Sequence, residues 1–322
     1  METIKTTDLT KKYGNLTAVN GLNLSVNKGE IFGLLGPNGA GKTTTLMMLS
    51  SLLKPTSGSA VINGFDVLTQ PSSVRESIGM VFQDPSSDSV LTAYDNLKLH
   101  ALLYNVPLGS INAKIDKVLA LVDLEKRKHD IVKTFSGGMR RRMEIARGLL
   151  HEPQIFFLDE PTLGLDPQTR DHIWTYIKSL AVRTNMTVVL TTHYMEEAQK
   201  LCDRIAIIDH GSIVALGSPQ ELIRELGGDI VLLKGTLNLD KLGKLPFVKE
   251  IKNVDGAYRL SVENAGRNLQ ELLCIAGDID LVEVHSPDLN DVFLHYTGKQ
   301  MREEEGDTVE YVRDMSRASS NK

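Results

Sequence analysis

Cysteine is almost absent from this 322-residue sequence: Cys202 and Cys274 stand far apart, without the spacing of a metal site or a disulfide framework. A reducing compartment is the expectation, and neither thiol needs a role. Aromatic residues are scarce at 5%, and the formal net charge is -5, so the chain has no overall basic footprint for a nucleic acid. No apolar run approaches the roughly 18 residues of a membrane span, and Met1-Glu-Thr-Ile-Lys carries no signal-peptide core. Any membrane role is expected to come through a partner. What is present, 41% hydrophobic and 24% charged residues, is an ordinary globular composition. The length suits one larger α/β domain and a smaller one, at roughly 100–200 residues per domain.

Against this plain background one stretch stands out, Gly36-Pro37-Asn38-Gly39-Ala40-Gly41-Lys42-Thr43-Thr44. It fits the phosphate-loop pattern G-x-x-x-x-G-K-[ST], with an apolar run, Ile31 to Leu35, before it and a helix-prone run, Thr44 to Leu53, after it. Glycines at 36, 39 and 41 let successive N–H groups curl around an anion, and the next helix turns its positive end toward the same spot. Lys42 supplies a point charge for the outer phosphates, and the Thr43 hydroxyl is a natural magnesium ligand.

Upstream, residues 3–9 and 18–26 read as strands, with Tyr13 in the turn between them as an aromatic platform for a nucleotide base or an ordinary loop tyrosine. Downstream, Ser59 to Ile62 reads as a strand entering the Asn63-Gly64 turn, and Gly79 to Phe82 as a buried strand that delivers Gln83 at its end. From Leu91 to Val132 the rhythm changes to amphipathic helices. This helical insertion ends at Phe135-Ser136-Gly137-Gly138-Met139, where Ser136 and two glycines open a long helix as either a second anion site or a plain cap. Arg140 to Arg142, without interleaved aromatics, read as a solvated basic face.

Two more apolar runs end in polar residues. Ile155 to Leu158 is followed by Asp159 and Glu160, which as neighbours on a strand point to opposite faces and so take different jobs: one holds magnesium, the other faces an attacking water. Thr187 to Thr192 delivers His193, within reach of a γ-phosphate oxygen if the strand tips converge. Ile205 to Asp209 and Ile213 to Leu216, joined at His210-Gly211, close the domain as a hairpin.

Taken in this order, residues 5–226 resemble the nucleotide-binding subunit of an ATP-binding-cassette (ABC) transporter. The resemblance makes Tyr13 the aromatic loop, Gly36 to Thr44 the Walker A motif, Gln83 the Q-loop, Phe135 to Met139 the signature, Ile155 to Asp159 Walker B, Leu163 to Asp166 the D-loop and His193 the switch histidine. The usual signature is Leu-Ser-Gly-Gly-Gln; here Phe135 and Met139 replace its ends. Ser-Gly-Gly-Met-Arg-Arg-Arg, with Leu289-Asn-Asp-Val-Phe293-Leu-His-Tyr-Thr297, is similar to the daunorubicin-resistance-type ATPases of the second ABC exporter class. The resemblance implies an α/β P-loop cassette with an antiparallel β subdomain and a helical insertion at about 85–150, over residues 1–226. A small α+β accessory domain at 227–299 and a disordered tail at 300–322 complete the expectation.

Functionally it implies an ATPase whose two copies pair head to tail, Ser136, Gly137 and Gly138 of one closing over the nucleotide of the other. Glu160 positions the water, Thr43, Asp159 and Gln83 bind magnesium, and His193 senses the γ-phosphate. The partner is a separate membrane permease, with the chain peripheral on its cytoplasmic face. Two rivals stand beside it: an ABC ATPase of DNA repair or translation, and a nucleotide-binding regulator without turnover. The first usually carries tandem cassettes or zinc insertions, which this chain lacks; intact Glu160 speaks against the second.

Overall fold

In the computed structural model, residues 2–254 and 256–298 are described; the expected tail at 300–322 lies outside them. The centre is a six-stranded sheet in the order Ser212–Gly217, Arg204–Asp209, Ile31–Leu35, Thr187–Thr192, Ile155–Asp159, Ile78–Val81. Every neighbouring pair is parallel except the first, the expected hairpin. Strands buried on both faces need no alternation, and Ile31–Leu35, Ile155–Asp159 and Thr187–Thr192 are buried at every residue. Their side chains divide between two cores. Phe32, Leu34, Phe157 and Val189 meet Leu46, Met48 and Leu49 of the helix Lys42–Leu49 on one face. Phe156, Leu158, Val188 and Leu190 meet the helical insertion and the helix Pro167–Thr184 on the other.

Parallel strands bring their carboxyl ends to one edge, and that fact places the site. The phosphate loop follows Leu35, Glu160 follows Asp159, and His193 follows Thr192. A second, antiparallel sheet is built on Glu2–Tyr13, which pairs with Leu16–Leu22, Ser25–Asn27 and Ser57–Ile62. The single strand expected over 18–26 is thus two. Asn23 interrupts it, its amide donating to Asp8 Oδ1 at 2.8 Å while its carbonyl accepts from the Asp8 N–H at 2.9 Å, so that side chains replace ladder bonds at a bulge.

The insertion comprises the helices Ala93–Leu103, Ile111–Leu121 and Gly137–Leu149. Beyond the hairpin, four antiparallel strands lie in the order Val248–Val254, Ala257–Val262, Asp229–Leu237, Gly277–His285, with the helix Ala265–Ala276 on one face. Val248–Val254 is not expected from sequence, because its apolar residues fall at 248, 251 and 254, every third position, instead of alternating. The last helix, Leu289–Thr297, leaves this small sheet and inserts Leu289, Val292 and Phe293 into the larger core of the preceding unit. Tyr296 pins it there by donating to Glu225 Oε2 at 2.7 Å.

Candidate ATP-hydrolysis site

The phosphate loop owes its shape to crowding as much as to turn geometry. A Cβ on Gly36 would lie 2.2 Å from the Ile208 carbonyl oxygen, and one on Gly41 2.4 Å from that of Ala18, while Gly41 also has φ 102. Only glycine meets both demands at 41. The helix then starts at Lys42, whose side chain is 4% exposed and curls back so that Nζ donates to the carbonyls of Gly36 at 2.8 Å and Pro37 at 3.1 Å. Burial lowers its pKa, a cost offset by the Glu160 carboxylate 3.4 Å away.

Glu160 is 8% exposed and stands between two partners, Lys42 at Oε1 and His193 Nδ1 at 3.2 Å from Oε2, the latter without the alignment of a hydrogen bond. Burial pushes its carboxyl up, but the His193 ring and the Lys42 cation outweigh that and hold it below the usual carboxylate range. It is therefore ionised, as an acceptor of a water proton must be. Asp159, 2% exposed, goes the other way: burial raises it, against hydrogen bonds donated to Oδ1 by Thr191 at 2.6 Å and Thr43 at 3.0 Å. The two acids do take different environments, although not by strand alternation alone. Glu160 lies past the strand end at φ 44, a left-handed backbone for a non-glycine residue, which turns its side chain toward the loop.

Thr191 is missed from sequence. Its hydroxyl donates to Asp159 and accepts the Glu160 N–H at 2.9 Å, orienting both acids from the adjacent strand. A threonine one place short of a strand tip gives no local signal; only the pairing of Asp159 with Thr191 across the sheet reveals it. Gln83 is half-buried two residues beyond Val81, and among the described residues no hydrogen bond joins its amide to Thr43 or Asp159. Tyr13 ends its strand half-buried, with Lys11 Nζ 5.2 Å from its ring centroid. Ser136 is exposed at the cap of the helix Gly137–Leu149, accepting from the Met139 N–H at 3.3 Å, and among the described residues no hydrogen bond ties it to its own chain's phosphate loop. Gly138 is forced by contact: a Cβ there would sit 2.6 Å from Thr169 Cγ2. Arg140 to Arg142 are not one solvated face, because Arg141 is buried.

A buried lysine under a glycine loop, paired with a strand-end glutamate beside a histidine, defines a P-loop ATPase. Comparison with known proteins gives the particular kind. Residues 19–163 match the family of ABC transporters, and residues 217–297 match the C-terminal domain of DrrA1-3-like ATP-binding proteins. The chain is 37% identical to the linearmycin resistance ATP-binding protein LnrL of Bacillus subtilis (strain 168), over 92% of this chain and 98% of that one. It is 39% identical to the daunorubicin resistance ATP-binding protein DrrA3 of Streptomyces coeruleorubidus, over 92% and 96%. Among solved structures, cbiO1 from Clostridium perfringens, part of the cbiONQ transporter complex, superposes with a TM-score of 0.64 at 29% identity, covering 70% of this chain and 94% of that one. A dimeric ATP-binding cassette, MJ0796, in a post-hydrolysis state with ADP and Pi, gives 0.61 at 28%, covering 67% and 98%. The chain belongs to the ABC transporter ATP-binding proteins of the daunorubicin-resistance type, the ATPases of the second exporter class.

Proposed function

We propose that this ATPase works as one half of a head-to-tail pair and energises efflux through a separate membrane permease, with Glu160 as the residue that orients and deprotonates the attacking water. One observation carries the hydrolytic part: an ionised Glu160 held between Lys42 and His193 at the mouth of the phosphate loop. A triphosphate in the loop offers Lys42 stronger acceptors than a carboxylate. Glu160 is then left to accept from water, and His193 lies beside it to donate to the terminal phosphate.

Thr43 Oγ1 and Asp159 Oδ1, 3.0 Å apart, are a hard-oxygen pair of the kind that holds magnesium together with phosphate oxygens and water. Magnesium would neutralise developing phosphate charge; Thr43 and Asp159 would hold it, with the Gln83 amide carried in by its loop. Tyr13 would stack on the base. The exposed Ser136, with the N–H groups of Gly137 and Gly138, would close over the partner copy's nucleotide, which accounts for an anion-type helix start with no hydrogen bond to its own loop among the described residues. Export and the permease are supported by the relatives, which include Nod factor export proteins such as that of Ralstonia nicotianae. The chain itself has, among the described residues, no helix long and apolar enough to cross a membrane.

Steady-state ATPase of the purified protein tests the assignment. Glu160→Gln is expected to leave ATP affinity nearly intact and slow turnover by ~10²-fold or more, whereas Lys42→Ala weakens nucleotide binding itself. Near-normal turnover in Glu160→Gln would remove Glu160 from the reaction.

A further inference from the structure

The three arginines after the signature differ in fate. Arg140 and Arg142 are half-buried, but Arg141 is 8% exposed and runs under its helix to the exits of two neighbouring strands. Its guanidinium directs its donors to main-chain carbonyls: Nη1 to Phe82 at 2.6 Å, Nε to Pro161 at 2.6 Å and Nη2 to Asp159 at 2.8 Å. Burial lowers its pKa to about 10, Glu144 and Asp159 offsetting part of the loss of hydration. Glu144, 2% exposed and on the same helix face three residues on, accepts from Ser87 N–H at 2.8 Å and Ser86 Oγ at 3.1 Å. The helix thus grips the Gln83 loop on both sides, at Phe82 before it and at Ser86 and Ser87 after it.

We propose that Arg141 is a positioning residue for hydrolysis: by holding the carbonyls of Asp159 and Pro161 it fixes the backbone on both sides of Glu160, and by holding that of Phe82 it sets Gln83 in register with it. This rests on the reading of Glu160 as the water-orienting residue. The need for such a clamp is local, since Glu160 at φ 44 occupies a backbone region that persists only where its flanks are over-determined. Arginine is suited to the task because three acceptors at the exits of two strands require a planar fork, which an ammonium on a flexible stem does not provide. The clamp also ties the helix that begins at Ser136 to this chain's own carboxylate.

Arg141→Lys in the full chain tests it, keeping the charge and most of the stem while losing the fork. We expect kcat to fall ~10- to 100-fold, the scale on which a displacement of about 1 Å acts. The Kd for ATP should stay within about twofold of wild type, and ATP-driven dimerisation should persist in a Glu160→Gln background. Arg141→Met should be slower still; if it fails to fold, Arg141→Lys alone decides. Retention of kcat within about twofold in Arg141→Lys would overturn the role, as would a loss of kcat matched by an equal loss of ATP affinity. Glu160→Gln separates the two ideas. If it turns over normally, the underlying reading falls; if it is arrested while Arg141→Lys is not, only the clamp falls.

Discussion

At the scale of single residues, the site is a set of charges whose burial is tolerated because each has a partner. Lys42, Asp159 and Glu160 are all below 10% exposure, and an unpaired charge so placed would cost several kcal/mol. Thr191 is the smallest element of this arrangement and the simplest to remove. Thr191→Val keeps volume while stripping one hydrogen bond from Asp159 and orphaning the Glu160 N–H. The expected result is a stability loss of about 1–3 kcal/mol with a fall in kcat, read by urea denaturation and by ATPase at saturating ATP. An unchanged kcat would show that Asp159 and Glu160 hold their places without it. Lys42 and Thr43 were legible in the sequence from the spacing of the phosphate-loop pattern, and Asp159, Glu160 and His193 because each lies at or just beyond the end of an apolar run. Thr191 and Arg141 were not, because Asp159 lies 32 positions from Thr191 and the partners of Arg141 lie 18, 20 and 59 positions away, and only the fold brings them near.

At the scale of elements, the seam between the helical insertion and the core carries two half-buried histidines, His100 and His151. The His100 ring of Ala93–Leu103 lies tilted against Tyr104 at 4.7 Å, Tyr104 stacks at 4.1 Å on His151, and the His151 Nε2–H donates to the Ile78 carbonyl at 2.8 Å. Burial, with the nearby Arg147 cation, pushes His100 down to about 3. Its folded pKa is thus depressed, so between pH 6.5 and 3 the unfolded chain binds the extra proton and stability falls as pH falls. His100→Phe should flatten this acid limb, sparing up to roughly 2 kcal/mol between pH 6.5 and 5. Paired urea titrations at pH 7.5 and 5 check it; parallel pH slopes in the two proteins would dismiss His100 as the titrating group. The helix Gly137–Leu149 shows what periodicity hides: its polar residues 141 and 144 point inward, where an amphipathic pattern would place only apolar ones.

At the scale of the molecule, the chain is one half of the proposed working unit. Ser136 faces solvent while Lys42 and Glu160 are buried, so a site shared between copies has a clear signature in mixtures. A pair formed from Ser136→Arg and Lys42→Ala chains should keep at most one working site, since one loop cannot bind and the intact loop faces the other chain's normal Ser136. ATPase of the purified mixed dimer reads this, and full wild-type activity would refute a shared site. The last helix adds a second whole-molecule feature. Asp291 on it lies 3.4 Å from Arg259 and 3.0 Å from His285 of the small sheet, while Phe293 on it is 3% exposed in the larger core. One helix therefore joins the two units, through Asp291 by an ion pair to Arg259 and a hydrogen bond with His285, and through Phe293 by apolar packing.

The sequence by itself determined the chemistry on offer: a phosphate loop between strand and helix, polar residues at strand ends, a helix opened by Ser-Gly-Gly, and their order along the chain. These are local facts, set by backbone period and by what glycine permits. Only the tertiary structure decided which strand tips adjoin, that Thr191 and the left-handed backbone of Glu160 set the different surroundings of Asp159 and Glu160, that Arg141 turns inward, and that Leu289–Thr297 docks on the larger unit. The physical reason is that burial and pairing between distant residues depend on sheet order and packing, which no window of neighbouring residues contains.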